Sequence, residues 1–357
     1  MRKRLWFTVL GASLLVAVLG SVLATSVGAS SNRSTLSARQ KANQLTVAMI
    51  TNQTAGDDAT VDGMIQGMKK AAKALGYTKT KFVVVLDSNQ YEPTLRQLAQ
   101  QGYPLIIGAV QGLGPAFDSV AKDFPNTKFA IFFAVPHVKN VAGYFAPQQE
   151  MGYPGGIAAG LVTKTNKLAY VLGIEHPLIR DAEAGFIAGA LSVNPKIKVY
   201  DTVPNTLTDP AVGKNVAESF FNKGVDVIAS LSVHTSLGIY QDAKQQRASG
   251  KKVWVVSNDA QHLSKYAGNA SLVSSVFILQ NAVSQIMTDF KAGKFTGGIH
   301  HMTLKNHQVG IFQWGPRVPK SVIKKVLSAQ QKVFRGYKVP DHTWIAKYIK
   351  RGVLVKG

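Results

Sequence analysis

Short apolar runs alternate with amphipathic stretches from about residue 45 onward. Residues 45–50 are apolar almost throughout, which is typical of a strand buried on both faces of a sheet. Apolar side chains then recur at three- and four-residue steps over residues 61–75, which predicts a helix with one apolar face. Gly76 follows as its C-cap, and Asp209 and Pro210 predict the start of a later helix.

The same alternation continues through two successive halves of the chain. Further strands are predicted at residues 82–86, 105–107, 129–133, 168–172, 225–229 and 253–256, and near Val199. Helices are predicted between them at residues 94–101, 115–122, 155–160, 181–191 and 237–247, and from residue 210 to an end at Gly224. Strand–helix alternation indicates parallel sheets with helices on both faces, and two such series indicate two similar α/β lobes.

The first residues have the pattern of an export signal. A basic start at Arg2, Lys3 and Arg4 precedes an apolar run that ends near Ala24, and small side chains follow. We expect a secretory signal peptide over residues 1–29, cleaved after Ala29, and a flexible spacer over residues 30–43. The alternative is a retained membrane anchor, because the apolar run approaches the length that spans a bilayer. In both cases the rest of the chain is expected outside the cytoplasm, either secreted or at the outer face of the membrane.

Composition and charge further narrow the class of protein and its expected partners. The 357 residues contain no cysteine, which excludes disulfides, thiolate metal sites and a cysteine-linked lipid. The formal charge is +22, from 41 basic and 19 acidic side chains. The lysines are scattered and no arginine-rich arm is present, so we expect no nucleic-acid partner. An exported basic protein is instead expected to rest against an anionic membrane or wall surface.

No catalytic or metal-binding pattern stands out. His300 and His301 are adjacent, and adjacent side chains on a strand point in opposite directions, so they make a poor chelating pair. The His-Glu-x-x-His, Gly-x-Ser-x-Gly, dinucleotide and phosphate-loop patterns are all missing. We therefore expect no enzymatic activity, no metal and no cofactor.

Several stretches resemble the basic-membrane-protein family, the PnrA-like nucleoside-binding components of ABC importers. They are residues 126–131, 150–161, 163–168, 253–259, 293–298 and 304–310, in the order and spacing of that family. The resemblance implies a type I periplasmic-binding fold, with two lobes joined by three hinge crossings. It also implies ABC permease and ATPase partners, and we expect a monomer. The expected lobes are residues 44–146 plus 275–297 and residues 147–274 plus 298–340, followed by a basic C-terminal extension at 341–357.

The departures from the family pattern concern the ligand. After the first strand, the family's Asp-x-x-Phe-Asn is Asp57-Asp58-Ala59-Thr60-Val61 here, so Thr60 replaces a base-stacking phenylalanine. Phe145, Tyr153, His234 and Phe277 are alternatives for the missing ring. The family's lipid-bearing cysteine is also missing. Similar departures occur in the branch that contains the Med-type regulator of bacilli, so a membrane-anchored sensor with a diverged or absent ligand is the alternative function.

The candidate ligand-binding residues lie just after predicted strands, where open α/β sheets bind ligands. They are Asp57, Thr60, Gln111, His234, Thr235 and Asp259. By the resemblance, Asp57 and Asp259 accept hydrogen bonds from a small polar, nucleoside-like ligand. The plainer alternative for both is a local role, since aspartates after strands often cap a helix or close a turn.

Overall fold

The computed structural model describes residues 45–56, 60–109 and 112–356. The predicted signal peptide and spacer lie outside these residues, as do Asp57 and Gln111. No helix within the described part of the chain is long and apolar enough to cross a membrane.

Strands and helices alternate along the described chain. The strands are β1 (Thr46–Thr51), β2 (Lys79–Val84), β3 (Leu105–Gly108), β4 (Lys128–Phe132), β5 (Val141–Phe145), β6 (Lys167–Leu172), β7 (Lys198–Thr202), β8 (Val227–Leu231), β9 (Trp254–Ser257), β10 (Ser271–Phe277), β11 (Gly298–His301), β12 (Val309–Trp314) and β13 (Leu354–Lys356). The α-helices are α1 (Thr60–Leu75), α2 (Tyr91–Gln100), α3 (Gly114–Asp123), α4 (Gln148–Val162), α5 (Pro177–Leu191), α6 (Pro210–Asn222), α7 (His234–Ala248), α8 (Leu263–Ala267), α9 (Leu279–Lys291), α10 (Lys320–Phe334) and α11 (Ile345–Lys350). Short 3₁₀ helices occur at Ser88–Gln90, Gly268–Ala270 and His342–Trp344.

The strands form two separate sheets, which define two lobes. Lobe 1 contains the six-stranded sheet β11-β5-β4-β3-β1-β2, in which every neighbouring pair is parallel. Lobe 2 contains the seven-stranded sheet β12-β10-β9-β8-β6-β7-β13, in which β12 alone runs antiparallel to its neighbour. Each sheet has a buried apolar cluster on both faces, as the unbroken apolar strands predicted. The predicted α/β fold with two parallel, doubly wound sheets is therefore confirmed.

The chain passes between the two sheets three times. It leaves lobe 1 between β5 and α4, returns between β10 and α9, and crosses again between β11 and β12. α9 belongs to lobe 1 because it packs against α1, where a side chain at Gly67 would collide with the backbone of Gln280. Three crossings are the number that the fold class requires.

Two predicted lobe boundaries differ from the structure. Residues 298–301 were expected in lobe 2, but they form β11, which pairs with β5 at the edge of the lobe 1 sheet. Residues 341–357 were expected to be a basic extension, yet β13 continues the lobe 2 sheet by pairing with β7. Both strands are short and lie at sheet edges, so neither has the apolar run that reveals a central strand.

Small residues in α4 allow a very close contact with α5. A Cβ added at Gly152 would lie 1.9 Å from the carbonyl oxygen of Ala182, and one at Gly156 would lie 1.9 Å from that of Phe186. The small-residue run predicted as a helix is therefore the surface on which α5 packs. These two helices cover one face of the lobe 2 sheet and carry its largest apolar cluster.

Candidate functional site

The carboxyl ends of strands from the two sheets lie close together near the crossings. α1 begins shortly after β1, and Gln261 lies in the loop after β9. A Cβ added at Gly63 in α1 would lie 3.1 Å from the Nε2 atom of Gln261 and 3.0 Å from the Oε1 atom of Gln280. α1 of lobe 1 is therefore in direct contact with the strand-end loop of lobe 2.

One further contact joins the lobes, and another ties two of the crossing segments together. The ring centroids of Phe133, which follows β4, and Phe277, at the end of β10, are 5.2 Å apart. The backbone N–H of Leu304 donates a 2.8 Å hydrogen bond to the Oε2 atom of Glu150 at the start of α4. Burial raises the pKa of Glu150, and this hydrogen bond acts in the opposite direction. The crossings are thus fixed by specific contacts on the side where the strand ends meet.

The loop between β8 and α7 is held in an unusual conformation. Val233 caps α7 with φ +53° and ψ −120°, a region in which a β-branched residue is strained. Just before it, the hydroxyl of Ser232 lies 3.0 Å from that of Ser236, and both contact Ser230 at 2.7 Å. These three buried hydroxyls tie the end of β8 to the first turn of α7.

Asp259 stabilises this loop with both of its carboxylate oxygens. The Oδ2 atom accepts hydrogen bonds from the backbone N–H groups of Ser232 and Val233, at 2.9 Å each, and from the Ser236 hydroxyl at 2.5 Å. The Oδ1 atom accepts hydrogen bonds from the hydroxyls of Tyr240, at 2.7 Å, and Ser257, at 3.1 Å. A carboxylate has about four lone-pair sites, so five donors fill its hydrogen-bonding capacity.

The pKa of Asp259 reflects this enclosure. Burial raises it above the ordinary aspartate value, although the hydrogen bonds from Ser236, Tyr240 and the backbone lower it. The sequence predicted that Asp259 receives hydrogen bonds from a ligand, whereas the donors in the structure all come from lobe 2 itself. A ligand contact of Asp259 stays a prediction, and its described role is to shape the β8–α7 loop.

The other predicted residues are distributed around the same loops. Thr235 is fully buried; its hydroxyl accepts a hydrogen bond from the backbone N–H of Asp209 and donates one to the carbonyl of Thr206. His234 is exposed at the start of α7, beside Val233. Thr60 is half-buried at the first position of α1 in lobe 1. The structure thus places His234, Thr235 and Asp259 around one loop of lobe 2.

The proposed replacements for the missing aromatic ring are not all near the strand ends. Tyr153 is buried inside lobe 2, where its ring lies 5.9 Å from that of Tyr337. Phe277 packs against Phe133 between the lobes, and Phe145 is half-buried at the end of β5. Tyr153 is a core residue, since α4 turns this side chain toward the apolar cluster beneath it.

Exposed apolar side chains at the strand ends are a feature that the sequence predictions missed. Leu86 follows β2, Val135 follows β4, Ile174 and Leu178 follow β6, and Val233 follows β8. Their exposure ranges from 36% for Ile174 to 68% for Leu86. Leu86 ends the apolar run predicted as a strand at residues 82–86, and Leu178 lies in the first turn of α5. The other three interrupt loops, so periodicity does not mark the five residues as one group. Their common position is visible only once the strands are placed.

Val135 lines a shallow pocket in lobe 1. The pocket has a volume of about 380 Å³ and lies between the start of α3 and the loop after β4. At its edge, the Nδ1 atom of the His137 ring is 2.6 Å from the Oδ2 atom of Asp118. The backbone N–H of His137 donates a hydrogen bond to the Oδ1 atom of the same carboxylate. This pair fixes the loop that presents Val135.

A buried ion cluster lies beneath the end of β6 in lobe 2. The guanidinium of Arg180 contacts Glu175, Glu183 and Asp201, and the Glu183 contact measures 2.6 Å. Burial alone would lower the pKa of Arg180, but its hydrogen bonds to the carboxylates raise it overall. Burial raises the pKa of Glu183 to about 7, although Arg180 opposes the shift. Within the described residues, no group of histidine, aspartate and glutamate side chains has the arrangement of a metal site.

Comparison with known proteins places the chain in a family. The profile of the family described as "ABC transporter substrate-binding protein PnrA-like" matches residues 44–343. The chain belongs to this PnrA-like family of substrate-binding proteins. The resemblance found in the sequence is therefore confirmed, and the family is one of substrate-binding proteins.

A curated relative agrees with this assignment, and solved structures share the fold. The chain is 32% identical to the ABC transporter nucleoside-binding protein BmpA of Lactococcus lactis over 273 residues, covering 73% of this chain and 76% of that protein. A solved ABC transporter solute-binding protein from Conexibacter woesei has a TM-score of 0.72 at 20% identity, covering 84% of this chain and 99% of that one. A transcriptional activator of the comK gene from Bacillus halodurans also has a TM-score of 0.72, at 17% identity, covering 83% and 99%. The PnrA-like fold is thus shared by proteins whose names describe different functions.

Proposed function

We propose that this PnrA-like protein is the extracytoplasmic solute receptor of an ABC importer. The ligand is a small molecule that combines a polar part with an apolar face, and a nucleoside meets that description. It binds between the carboxyl ends of the two sheets. The importer's permease and ATPase are the expected partners, by analogy with the family.

The observation that carries the proposal is the set of exposed apolar side chains at strand ends in both lobes. Leu86 and Val135 lie at such ends in lobe 1, and Ile174, Leu178 and Val233 lie at such ends in lobe 2. Single exposed apolar residues are ordinary, but a group at the ligand-binding edge of two sheets is not. An apolar ligand face would cover side chains of this kind on both lobes.

Closure of the lobes would couple ligand binding to transport. A ligand stabilises the closed form only if it gains contacts there that the open form lacks. Apolar side chains on both lobes supply such contacts, and the three crossings supply the hinge. The closed form would then present the surface that the permease recognises.

A ligand screen by thermal unfolding tests the proposal. The full chain is heated with nucleosides, hexoses and dipeptides, and a solute at about one hundred times its dissociation constant should add about 2.7 kcal/mol to the unfolding free energy. We expect nucleosides to raise the melting temperature. If no solute in the three classes raises it, the receptor function is contradicted.

Two substitutions locate the site within the same screen. Val135→Glu and Ile174→Glu place a charge at the strand ends of lobe 1 and lobe 2, and each should abolish the ligand-dependent shift. Ile349→Glu is the matched control, because Ile349 is 41% exposed on α11, away from the strand ends. A shift that survives in both strand-end variants would place the ligand elsewhere.

The alternative is a membrane-anchored regulator of the Med type with the same fold. It predicts a retained N-terminal segment and no ligand-dependent stabilisation. N-terminal sequencing of the native protein separates the two, since an importer receptor processed after Ala29 would begin at Ser30.

A further inference from the structure

After residue 44, the positive charge of the chain is concentrated near its C-terminus. Residues 320–356 contain ten lysines and arginines and one acidic residue, Asp341, which gives them a formal charge of +9. Residues 45–319 contain 25 basic and 18 acidic side chains, so a much longer stretch carries only +7. We call residues 320–356 the terminal layer.

The terminal layer is the outermost part of lobe 2 on one side. α10 packs on α4, and the 3₁₀ helix His342–Trp344 packs on α5. β13 extends the sheet beyond β7. Because α4 and α5 already cover that face of the sheet, α10 and the 3₁₀ helix lie outside them as an additional layer, while β13 lies at the edge of the sheet.

Buried side chains attach the terminal layer to the rest of lobe 2. Val326, Val339, Tyr348 and Leu354 belong to the apolar cluster of lobe 2. The Nδ1 atom of His342 lies 2.6 Å from the Oδ1 atom of Asp181 in α5, and the His342 N–H donates to the same oxygen. The inner side of the terminal layer is therefore attached to lobe 2 by apolar packing and by the hydrogen bonds between His342 and Asp181.

The outer side carries a different set of residues. The ten basic side chains are all exposed: Lys320, Lys324, Lys325, Lys332, Arg335, Lys338, Lys347, Lys350, Arg351 and Lys356. Five large apolar side chains are exposed among them: Leu327, Tyr337, Trp344, Ile349 and Val355. The Nζ atom of Lys347 lies 3.8 Å from the centroid of the Trp344 ring, so cation and aromatic ring form one unit.

We propose that the terminal layer is a docking surface for a bilayer that contains anionic phospholipid. Lysine and arginine near such a bilayer are attracted by its negative surface potential. Tryptophan and tyrosine favour the headgroup region, where one part of the ring is apolar and the other is solvated. A soluble anionic polymer would neutralise the cations but leave the exposed Trp344, Tyr337 and Ile349 in water, so the mixed surface favours a bilayer.

Vesicle sedimentation of the full chain tests this proposal. Binding is measured to phosphatidylcholine vesicles and to vesicles of phosphatidylcholine mixed with phosphatidylglycerol. Each cation near the surface contributes about fivefold to partitioning, so the triple variant Lys320→Glu, Lys324→Glu, Lys325→Glu should lose at least tenfold of its binding to the anionic vesicles. Trp344→Ala should lose a few fold on the same vesicles.

A matched charge reversal on lobe 1 is the control. Lys69, Lys70 and Lys73 are exposed on α1, a helix of similar length, and their triple change to Glu alters the net charge by the same amount. This control should retain binding to within about twofold, since the Debye length of about 8 Å limits the effect of distant charges. All variants carry the same N-terminal segment, and their melting temperatures show whether they are folded.

Three results would overturn the proposal. If the two triple variants lose equal amounts of binding to anionic vesicles, the binding depends on net charge alone and not on the terminal layer. Equal binding to the two kinds of vesicle would remove the role of anionic lipid. Unchanged vesicle binding by Trp344→Ala, together with displacement by a soluble polyphosphate chain, would assign the surface to an anionic polymer instead.

Discussion

The strand-end loops of lobe 2 and the terminal layer use polar groups in opposite ways. Around the β8–α7 loop, Asp259 receives five hydrogen bonds from its own lobe, and three serine hydroxyls bind one another. On the terminal layer, ten cations are exposed to solvent. The two regions also differ in their exposed apolar residues, which stand beside a buried polar network in one and beside exposed charges in the other.

This difference separates groups that build the fold from groups that are available to a partner. A buried polar group that loses its partner costs free energy, so a saturated network such as that of Asp259 indicates a structural role. An exposed cation costs little to change, so most of the ten are not needed for stability. Lys356 is an exception, since its Nζ atom lies 3.7 Å from a carboxylate oxygen of the buried Asp201. Predictions on stability can therefore test the comparison before any ligand is known.

The largest effect is expected for Asp259→Ala. Five donors would lose their acceptor, and four of them belong to buried residues, so the unfolding free energy should fall by about 3 kcal/mol. Asp209→Ala is the control, because Asp209 caps α6 at an exposed position and should cost about 1 kcal/mol. Urea unfolding compares the two. Equal losses would mean that the network around Asp259 adds nothing beyond an ordinary cap.

A pH-dependent effect is expected from Glu183. Its pKa in the folded state is raised to about 7, above the unfolded value near 4.5, so the folded state binds the extra proton more tightly. Stability should therefore fall as pH rises from about 5 to about 8, on the order of 2 kcal/mol from this group.

Glu183→Gln removes the titrating group and should flatten the profile over that range. Melting temperatures at closely spaced pH values measure the change. Glu92→Gln is the control, since Glu92 pairs with Arg96 on a solvent-facing helix. A Glu183→Gln profile that matches the wild-type profile between pH 5 and 8 would contradict the raised pKa of Glu183.

A gain in stability is expected for Val233→Gly. Glycine adopts φ near +53° without the clash of a β-branched side chain, so the change should add about 1 kcal/mol. Val135→Gly is the control, because Val135 is also exposed but is not among the residues with positive φ, and it should lose stability. A loss in both variants would mean that the Val233 side chain stabilises the loop more than its conformation strains it.

The smallest effect is expected for the triple change of Lys320, Lys324 and Lys325 to Glu. These side chains are exposed on α10, so the unfolding free energy should change by less than about 0.5 kcal/mol per residue. Chemical unfolding measures it against Lys69, Lys70 and Lys73 changed in the same way. A large loss on α10 alone would show that the terminal layer's cations hold it to lobe 2.

Much of the fold follows from the sequence, because central strands and amphipathic helices carry their own patterns. Residues 45–50 are apolar except for Thr46, and residues 168–172 are apolar throughout. The structure places β1 and β6 there within one residue. Edge strands carry no such signal. β11 and β13 are three or four residues long, and their place is set by neighbours that are distant along the chain.

The sequence predicts less of the candidate site than of the fold. The resemblance selected Asp259 and its neighbours, and three of the selected residues do lie around one loop. An aspartate after a strand can accept hydrogen bonds from a ligand or from its own lobe. For Asp259 the outcome depends on donors at the end of β8, in α7 and in β9, which the fold brings together. No local pattern encodes that convergence, and the same holds for the shared strand-end position of exposed apolar residues such as Leu86 and Ile174.

Hydrogen–deuterium exchange with the solute that stabilises the protein most tests the receptor account directly. We expect slower exchange in residues 230–236 of lobe 2 and in residues 84–88 and 133–137 of lobe 1, with no change in residues 320–356. Protection in both lobes would show that one ligand is held by strand ends of both sheets. Protection limited to one lobe, or to the terminal layer, would contradict a site between the two sheets.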